Sequence, residues 1–303
     1  MTATPAEGEA RAGTVRPTGS RRLRRRVFDS LGWSLSLLAF LLLGSATVWI
    51  LVVVFERGYH ALTPTILTHV TEGYGGGLIN AIEGTGVLAL GSLLLAIPPG
   101  LAAGIYLAEF DHGRLAPVIR FLVDVLVGVP SIVIGYFGYV LMVVDFGWGF
   151  SVTAGSVALA IILLPYICRS SEMAIRQVPH SLREAAYALG AGDARVTLNI
   201  VVPAALPGIL TGILLGFAIS VGETAPLLYT AGWNNYLWTG HLTNEPIGYL
   251  TYAIWAFVTE PFASAHALAY AAALFVTLFV LIIAIFSRLL LDQNARLRRR
   301  DQG

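Results

Sequence analysis

Residues 179–203 read PHSLREAAYALGAGDARVTLNIVVP, the longest polar-tolerant segment between two long apolar runs. Pro179 stops a preceding helix, because its ring cannot continue one and the residue before it avoids the helical region. Ser181 and Glu184 have the S-x-x-E spacing of a capping box, in which each side chain satisfies the other residue's free backbone N–H. Leu182, Ala185, Ala186 and Leu189 then fall on one face at helical spacing. Gly190 can take the left-handed conformation that closes a helix, and Asp193 is placed to cap the next one. The pattern predicts a short helix, a glycine turn and a second helix entering the following apolar run. The apolar face is narrow and mostly alanine, so another surface can approach the backbone closely. Two readings fit it: a plug for a groove on a partner, or a loop helix lying against its own bundle.

Outward from this stretch the chain is strongly apolar. Of 303 residues 56% are hydrophobic and only 12% charged, the balance of an integral membrane protein. Six apolar runs are read as spans: Leu31–Phe55, Gly84–Ala108, Phe121–Val144, Phe150–Cys168, Ala204–Thr230 and Ala263–Ser287. The first has 25 residues, too long for a signal-peptide core of roughly 7–15. Pro98-Pro99-Gly100 predicts a kink or break in the second. The Gly248–Val258 piece is apolar but shorter than the ~20 residues a span needs, so it reads as interfacial or re-entrant. Residues 56–78 end in Tyr74-Gly75-Gly76-Gly77. No Gly-Lys-Ser/Thr follows, so this is a flexible entry to the next span and not an ATP site.

The fold class expected is an all-α membrane protein. Residues 1–27 form a basic cytoplasmic tail, 28–291 the transmembrane domain and 292–303 a second cytoplasmic tail. Residues 1–20 lack hydrophobic periodicity and read as disordered. All 19 cationic residues are arginine. With the N-terminus cytoplasmic, six spans leave 18 of them at or inside the inner face and only Arg57 outside, as the positive-inside rule requires. Residues 179–203 then lie in the cytoplasm.

The formal net charge of +1 gives no field for nucleic acid, and the single cysteine, Cys168, excludes an internal disulfide framework. The six histidines are scattered without ligand spacing, so no metal is expected. Asp124 and Glu223 fall inside predicted spans. An ionised group there costs about 2.5–3.5 kcal/mol unless paired or hydrated, which makes both functional candidates. Arg169 and Glu172 stand at i, i+3 and predict a helical ion pair. A membrane-boundary salt bridge or a hydrogen-bonded structural carboxylate is the plainer account of such groups. Ser220 and Thr224 have hydroxyls suited to an anion, or to interhelical packing.

The run Glu184-Ala185-Ala186, three residues, Gly190, nine residues, Ile200, one residue, Val202-Pro203 resembles the EAA loop of bacterial ABC importer permeases. The usual leucine before the proline is Val202 here. The resemblance implies the type I ABC importer permease fold, six transmembrane helices with a cytoplasmic coupling helix. Glu184, Ala185, Ala186, Gly190, Ile200 and Pro203 would then couple to an ATPase subunit. Gly222-Glu223-Thr224-Ala225-Pro226-Leu227-Leu228 resembles the signature of PstA-type permease subunits of phosphate importers. Gly128-Val129-Pro130-Ser131, Ala103–Glu109 and Ala204–Gly212 add to it, and the likeness covers residues 28–292.

Phosphate transport by this subunit is what the resemblance implies, with Arg169, Glu172, Glu223, Thr224 and Ser131 as candidate path or gating residues. It implies four kinds of partner: a second, PstC-like permease subunit, two PstB-like ATPase subunits carrying ATP and Mg2+, a PstS-like extracytoplasmic binding protein, and inorganic phosphate. No cofactor is implied for this chain, and no catalytic role. One departure stands out: many such permeases carry arginine four residues before the glutamate of Gly-Glu-Thr-Ala-Pro, where this chain has Ile219. Rival readings are a sulfate or molybdate importer subunit, an ATP-independent secondary transporter, and a membrane enzyme. The EAA loop speaks against the second. No paired carboxylates, Ser/His set or metal cluster speaks for the third.

Overall fold

The computed structural model describes residues 19–110 and 113–300, with side chains described from 28 to 289. The expected disorder of residues 1–20 lies almost wholly outside the described residues. The chain divides into two compact units, one ending at Val53 and the other running from Val54 onward. The first unit is the N-terminal part of α1 (Gly19–Ala61). Trp33, Phe40 and Trp49 are exposed along it, an apolar surface suited to lipid.

The second unit begins with the last turns of α1, followed by a short helix α2 (Pro64–Thr68) and a hairpin of two residues per strand, β1 (Thr71–Glu72) and β2 (Gly75–Gly76). The glycine run is therefore the second strand of a hydrogen-bonded hairpin and not a flexible entry. The buried Asn80 side chain fixes it by accepting from the Thr71 N–H and hydroxyl, both at 3.1 Å. α3 (Ile79–Glu109) is one unbroken helix despite Pro98 and Pro99.

The third span is not straight. It is α4 (Leu115–Gly128) followed by α5 (Ser131–Gly138), which runs on as a wide-turned π-helix to Asp145; the two legs meet at Val129–Pro130 through 98°. Pro130 supplies no N–H to continue α4 and biases Val129 to an extended conformation, observed at ψ 126. α6 (Val152–Arg176) extends the fourth span beyond its expected end, so Arg169 and Glu172 sit within it.

Among the described residues five helices are long and apolar enough to cross a membrane, or six with the bent pair as one span. Ion pairs decide how far that pair travels. Arg120 and Asp124 of α4 pair with Glu172 and Arg169 near the end of α6. The 25 residues of α6 cover about 37 Å. The chain leaves α4 beside the end of α6 and returns at its start, so the bent pair covers that depth in two legs.

α7 (His180–Ala188) and α8 (Asp193–Val196) follow, and α8 passes through a π-turn at Thr197–Val201 into α9 (Val202–Gly222). The wide turn has a local cause. Pro203 cannot donate to the preceding turn and its ring crowds it; the Val202 N–H reaches back to the Thr197 carbonyl, five residues away. α9 ends at Gly222, so Glu223 caps a helix end instead of lying inside a span; α10 (Ala225–Thr230) is separate. α11 (Leu250–Phe257) is the short apolar piece. It buries Leu250, Ala253 and Phe257 against Leu268, Ala269 and Ala272 of α12 (Ala263–Arg300).

α3 and α6 form the closest-packed pair. A Cβ built at Gly104 would lie 2.7 Å from both the Cys168 carbonyl oxygen and the Ser171 Cβ. Only glycine allows that approach, the small-residue packing typical of membrane helices. Gly104→Val is expected to overpack the interface by about 1–3 kcal/mol, lowering the membrane level on immunoblots. Gly86→Val on the same helix faces open space and should leave the level unchanged.

The loop between α10 and α11 is pinned at several points. Asn80 donates to the Asn234 carbonyl at 3.0 Å, and Glu83 accepts from the Trp238 N–H at 3.1 Å. Glu245 accepts from the Thr239 N–H at 3.0 Å and its hydroxyl at 2.7 Å. Desolvation pushes the Glu245 carboxyl up, but the bonds from Thr239 and His241 outweigh it and hold the carboxyl below its ordinary range.

Candidate coupling surface and charged clusters

Residues 179–203 form the expected helix–turn–helix, with two local differences. The first helix starts at His180 with Pro179 as its N-cap, and no side chain caps it. Ser181 is thus already helical, and the capping box with Glu184 does not form. Pro179 sets the start instead, since its extended ψ of 137 presents the chain to the first turn without Ser181. Nor does Asp193 cap α8; Gly192 holds the cap position and Asp193 is the first helical residue. The Asp193 carboxylate takes a hydrogen bond from the Tyr187 hydroxyl. Desolvation, then that bond and the charge of Asp193, push the Tyr187 hydroxyl above its ordinary value.

The glycine turn forms as expected. Gly190 has φ +80. Its N–H bonds the Tyr187 carbonyl at 2.9 Å, and the Ala191 N–H bonds the Ala186 carbonyl at 3.2 Å. Those two bonds are a Schellman close, which satisfies the last orphan carbonyls of α7.

The apolar face of α7 is divided between two surroundings. Ala186 is 5% exposed and joins Ile175, Val178, Val196, Val201 and Ile209, with Ile200 packed against the same cluster. Pro203 stands at the head of α9. Leu182, Glu184, Ala185 and Leu189 face outward, Leu189 at 89% exposure. One edge of the helix thus lies against its own bundle, as the second reading expects, and the other is left open.

Arg183 fixes this helix to two others. Its guanidinium meets Glu109 at the end of α3 through two nitrogens, at 2.6 and 3.4 Å. It also donates to the Val178 carbonyl at 2.6 Å and the Ile175 carbonyl at 3.1 Å, beyond and within the last turn of α6. The side chains are only 13% and 10% exposed. A positive charge at a helix C-terminus also complements its dipole. Nothing in the spacing of 109 and 183 signals this pair.

Arg169 and Glu172 do not pair with each other. Arg169 reaches Asp124 on α4, while Glu172 accepts from Arg120 at 3.3 Å and Arg176 at 3.0 Å. The sequence-predicted i, i+3 bridge loses to partners on another helix and one turn further along. Arg176 also donates to the Leu107 carbonyl at 2.8 Å. The result is a reciprocal clasp: an arginine of α4 on a carboxylate of α6, and an arginine of α6 on a carboxylate of α4.

Glu223, Thr224 and Ser131 lie elsewhere. The Ser131 hydroxyl at the head of α5 donates to the Glu223 carboxyl, and the Thr251 hydroxyl donates to the Glu223 carbonyl at 2.8 Å. Thr224 is the residue before α10. A Cβ at Gly135 would lie 2.5 Å from the Pro226 Cα, so α5 and α10, the helices that follow the two breaks, pack directly on each other. Leu227 of α10 packs with Leu159, ten residues and about 15 Å along α6 from Arg169. The candidate path residues therefore form two groups at different depths. Ser220 bonds Ser92 at 2.9 Å in a buried site, a packing contact between α9 and α3. Ile219 packs with Leu93, Ala96 and Leu163. Among the described residues, no group of three His, Cys, Asp or Glu is arranged to hold a metal.

Comparison with known proteins follows this geometry. Residues 100–297 match the family of binding-protein-dependent transport system inner membrane components. The chain is 44% identical over 274 residues to phosphate transport system permease protein PstA 2 of Mycobacterium bovis, covering 90% of this chain and 91% of that protein. It is 40% identical over 279 residues to the PstA of Pasteurella multocida, covering 90% and 97%. In fold it is similar to inward-facing structures of the MetNI methionine ABC transporter, with TM-scores of 0.56 and 0.57 at 19% identity. These cover 70% of this chain and 95% of those. The bundle, the EAA stretch and these similarities agree that the chain belongs to the binding-protein-dependent transport system inner membrane components, as a PstA-type permease.

Proposed function

We propose that this chain, as a non-hydrolytic permease subunit of a phosphate importer, transmits ATP-driven movement from the cytoplasm to the helices that line the phosphate path. The observation that carries the reading is the outward edge of α7, where Leu182, Ala185 and Leu189 stand exposed on a helix that Arg183 ties to α3 and α6. A PstB-like ATPase subunit is the occupant proposed for that edge, with ATP and Mg2+ held there and not here. A PstC-like permease completes the path, and a PstS-like protein delivers phosphate outside.

Movement of α7 reaches α6 and α3 through Arg183, and α4 through the clasp. α4 and α5 are one span in two legs, so tilting it shifts the break where Ser131 meets Glu223. Glu184, Ala185, Ala186, Gly190, Ile200 and Pro203 build and present the coupling surface. Arg169 and Glu172 serve the inner end of the path, and Glu223, Thr224 and Ser131 its gate. An anion crossing here needs donors that replace water without holding it, and Glu223 is placed to orient donors, not to attract phosphate.

Labelled phosphate uptake in cells carrying Glu184→Lys or Glu223→Gln tests this. Glu184→Lys is expected to lose both ATPase co-purification and uptake. Glu223→Gln is expected to keep the complex and lose at least tenfold in uptake. Normal phosphate uptake with reduced sulfate uptake would instead assign the chain to another oxyanion.

A further inference from the structure

Arg57 stands just past the first apolar run, Leu31–Phe55, and it is held in place there. Its Nη1 donates to the Tyr270 hydroxyl of α12 at 2.7 Å, and its guanidinium carbon lies 5.0 Å from the centre of the same ring. Gly58 allows that placement. A Cβ there would lie 2.7 Å from the Leu274 Cβ and 2.8 Å from the Tyr270 carbonyl oxygen, so the last turns of α1 and the first turns of α12 approach as only glycine permits. We propose that Arg57 and Tyr270 form a binding site for the phosphodiester headgroup of an anionic phospholipid, at the membrane face opposite the coupling surface.

The position fits a headgroup. Leu78 and Ala81, beside and within the first turn of α3, pack with Ala265, Leu268 and Ala269 at the head of α12. α3 meets the coupling helix at its other end, through Glu109. Tyr270 therefore lies at the far end of the bundle from α7. Phe55 and Tyr59 are exposed on the same turns of α1 as Arg57, stacked at 6.4 Å, with the His60 ring edge-on to Tyr59 at 6.1 Å. Exposed aromatic rings at the end of an apolar run belong at headgroup depth.

The chemistry fits a phosphate. A guanidinium carries five N–H donors in a planar fork that matches two phosphate oxygens, and the Tyr270 contact is made by one of its nitrogens. The Tyr270 hydroxyl accepts that bond, which leaves its own proton to donate. Ring and hydroxyl together fix the guanidinium, so little side-chain freedom is lost when a ligand arrives. Among the described residues no carboxylate forms an ion pair with Arg57, so its charge is not already neutralised.

The surrounding charge selects the source. This end of the bundle also carries Glu56, Glu72, Glu83, Asp145, Glu245 and Glu260. That excess of carboxylates repels a free phosphate dianion. A phospholipid brings a single negative charge, and its acyl chains hold it at the right depth. Once bound, it ties the α1–α12 pair to one height in the bilayer and limits its tilt.

Native mass spectrometry of the full-length protein, purified with its co-purifying subunits and titrated with phosphatidylglycerol, tests the site. Arg57→Gln is expected to weaken the tightest bound lipid about tenfold, the size of a charge-assisted hydrogen bond. Arg57→Lys keeps the charge without the fork and should fall between that variant and the unaltered protein. Glu56→Gln removes a neighbouring negative charge and is expected to strengthen binding about twofold, within the range for an exposed charge. Opposite shifts at adjacent positions identify a headgroup site, because damage to the helix pair would weaken binding in both. Size-exclusion profiles check that each variant keeps its subunits. Lipid binding by Arg57→Gln equal to that of the unaltered protein, or shifts in the same direction at 56 and 57, overturns the proposal. A second arm offers labelled inorganic phosphate to the protein in phosphatidylcholine nanodiscs. Saturable phosphate binding that Arg57→Gln abolishes would make the occupant the free anion and overturn the lipid assignment.

Discussion

Arg183→Met will abolish phosphate uptake while the protein still reaches the membrane. The Arg183–Glu109 pair at 2.6 Å is largely buried, with side chains 13% and 10% exposed. Removing one partner of a buried pair costs about 3–5 kcal/mol, because the other is left charged and unpaired. Here the loss falls on a joint. The same guanidinium holds the Ile175 and Val178 carbonyls, so α7 loses its polar ties to both α3 and α6 and keeps only the packing of Ala186. The packed α3–α6 interface does not depend on it, and membrane level should change little. Exchanging the charges, Glu109→Arg with Arg183→Glu, should recover part of the uptake by restoring the pair. Recovery will be incomplete because a glutamate at 183 cannot donate to the two carbonyls. Normal uptake by Arg183→Met, or none recovered by the exchange, would remove the joint from the coupling route.

The second large effect is at Gly190. Its φ of +80 is left-handed, and a Cβ there would meet nothing within 4 Å. Any loss on substitution is therefore a backbone effect. Holding a non-glycine residue in that region costs about 1–3 kcal/mol, most for a β-branched one; each 1.4 kcal/mol is tenfold in population. Gly190→Val is expected to open the Schellman close, let α7 fray, and reduce uptake at least tenfold at unchanged membrane level. Gly190→Asn tolerates the left-handed region and should retain most uptake. If both variants transport normally, the turn does not position the coupling surface.

Much of the candidate site was legible, and its errors have local causes. The EAA stretch was read as helix, glycine turn and helix, and it is one. The capping box failed because Pro179 starts the helix two residues too early for Ser181 to serve as its cap. Asp193 failed as a cap because Gly192 takes the extended cap position, which makes Asp193 the first helical residue. The third span was read as one run from Phe121 to Val144 although Val129-Pro130 lies in its middle, while Pro98-Pro99 was weighted as a kink or break and is absorbed. Helix-breaking by proline depends on whether neighbours re-satisfy the freed backbone groups, which single-chain reasoning does not see. Glu223 was placed inside a span because the apolar run continues past Gly222. The helix ends there without a change in polarity.

By itself the sequence determined the membrane class, the run of apolar spans and the left-handed turn at Gly190. Each rests on a local quantity: run length, or backbone preference at one residue. Only the tertiary structure decided who pairs with whom. Arg169 meets Asp124 across 45 positions, Glu172 meets Arg120 across 52, and Arg183 meets Glu109 across 74. Those partners depend on the azimuth and axial register of one helix against another. That register is set by close contacts such as Gly104 on Cys168 and Ser171, a matter of shape fit that no spacing in a single chain encodes.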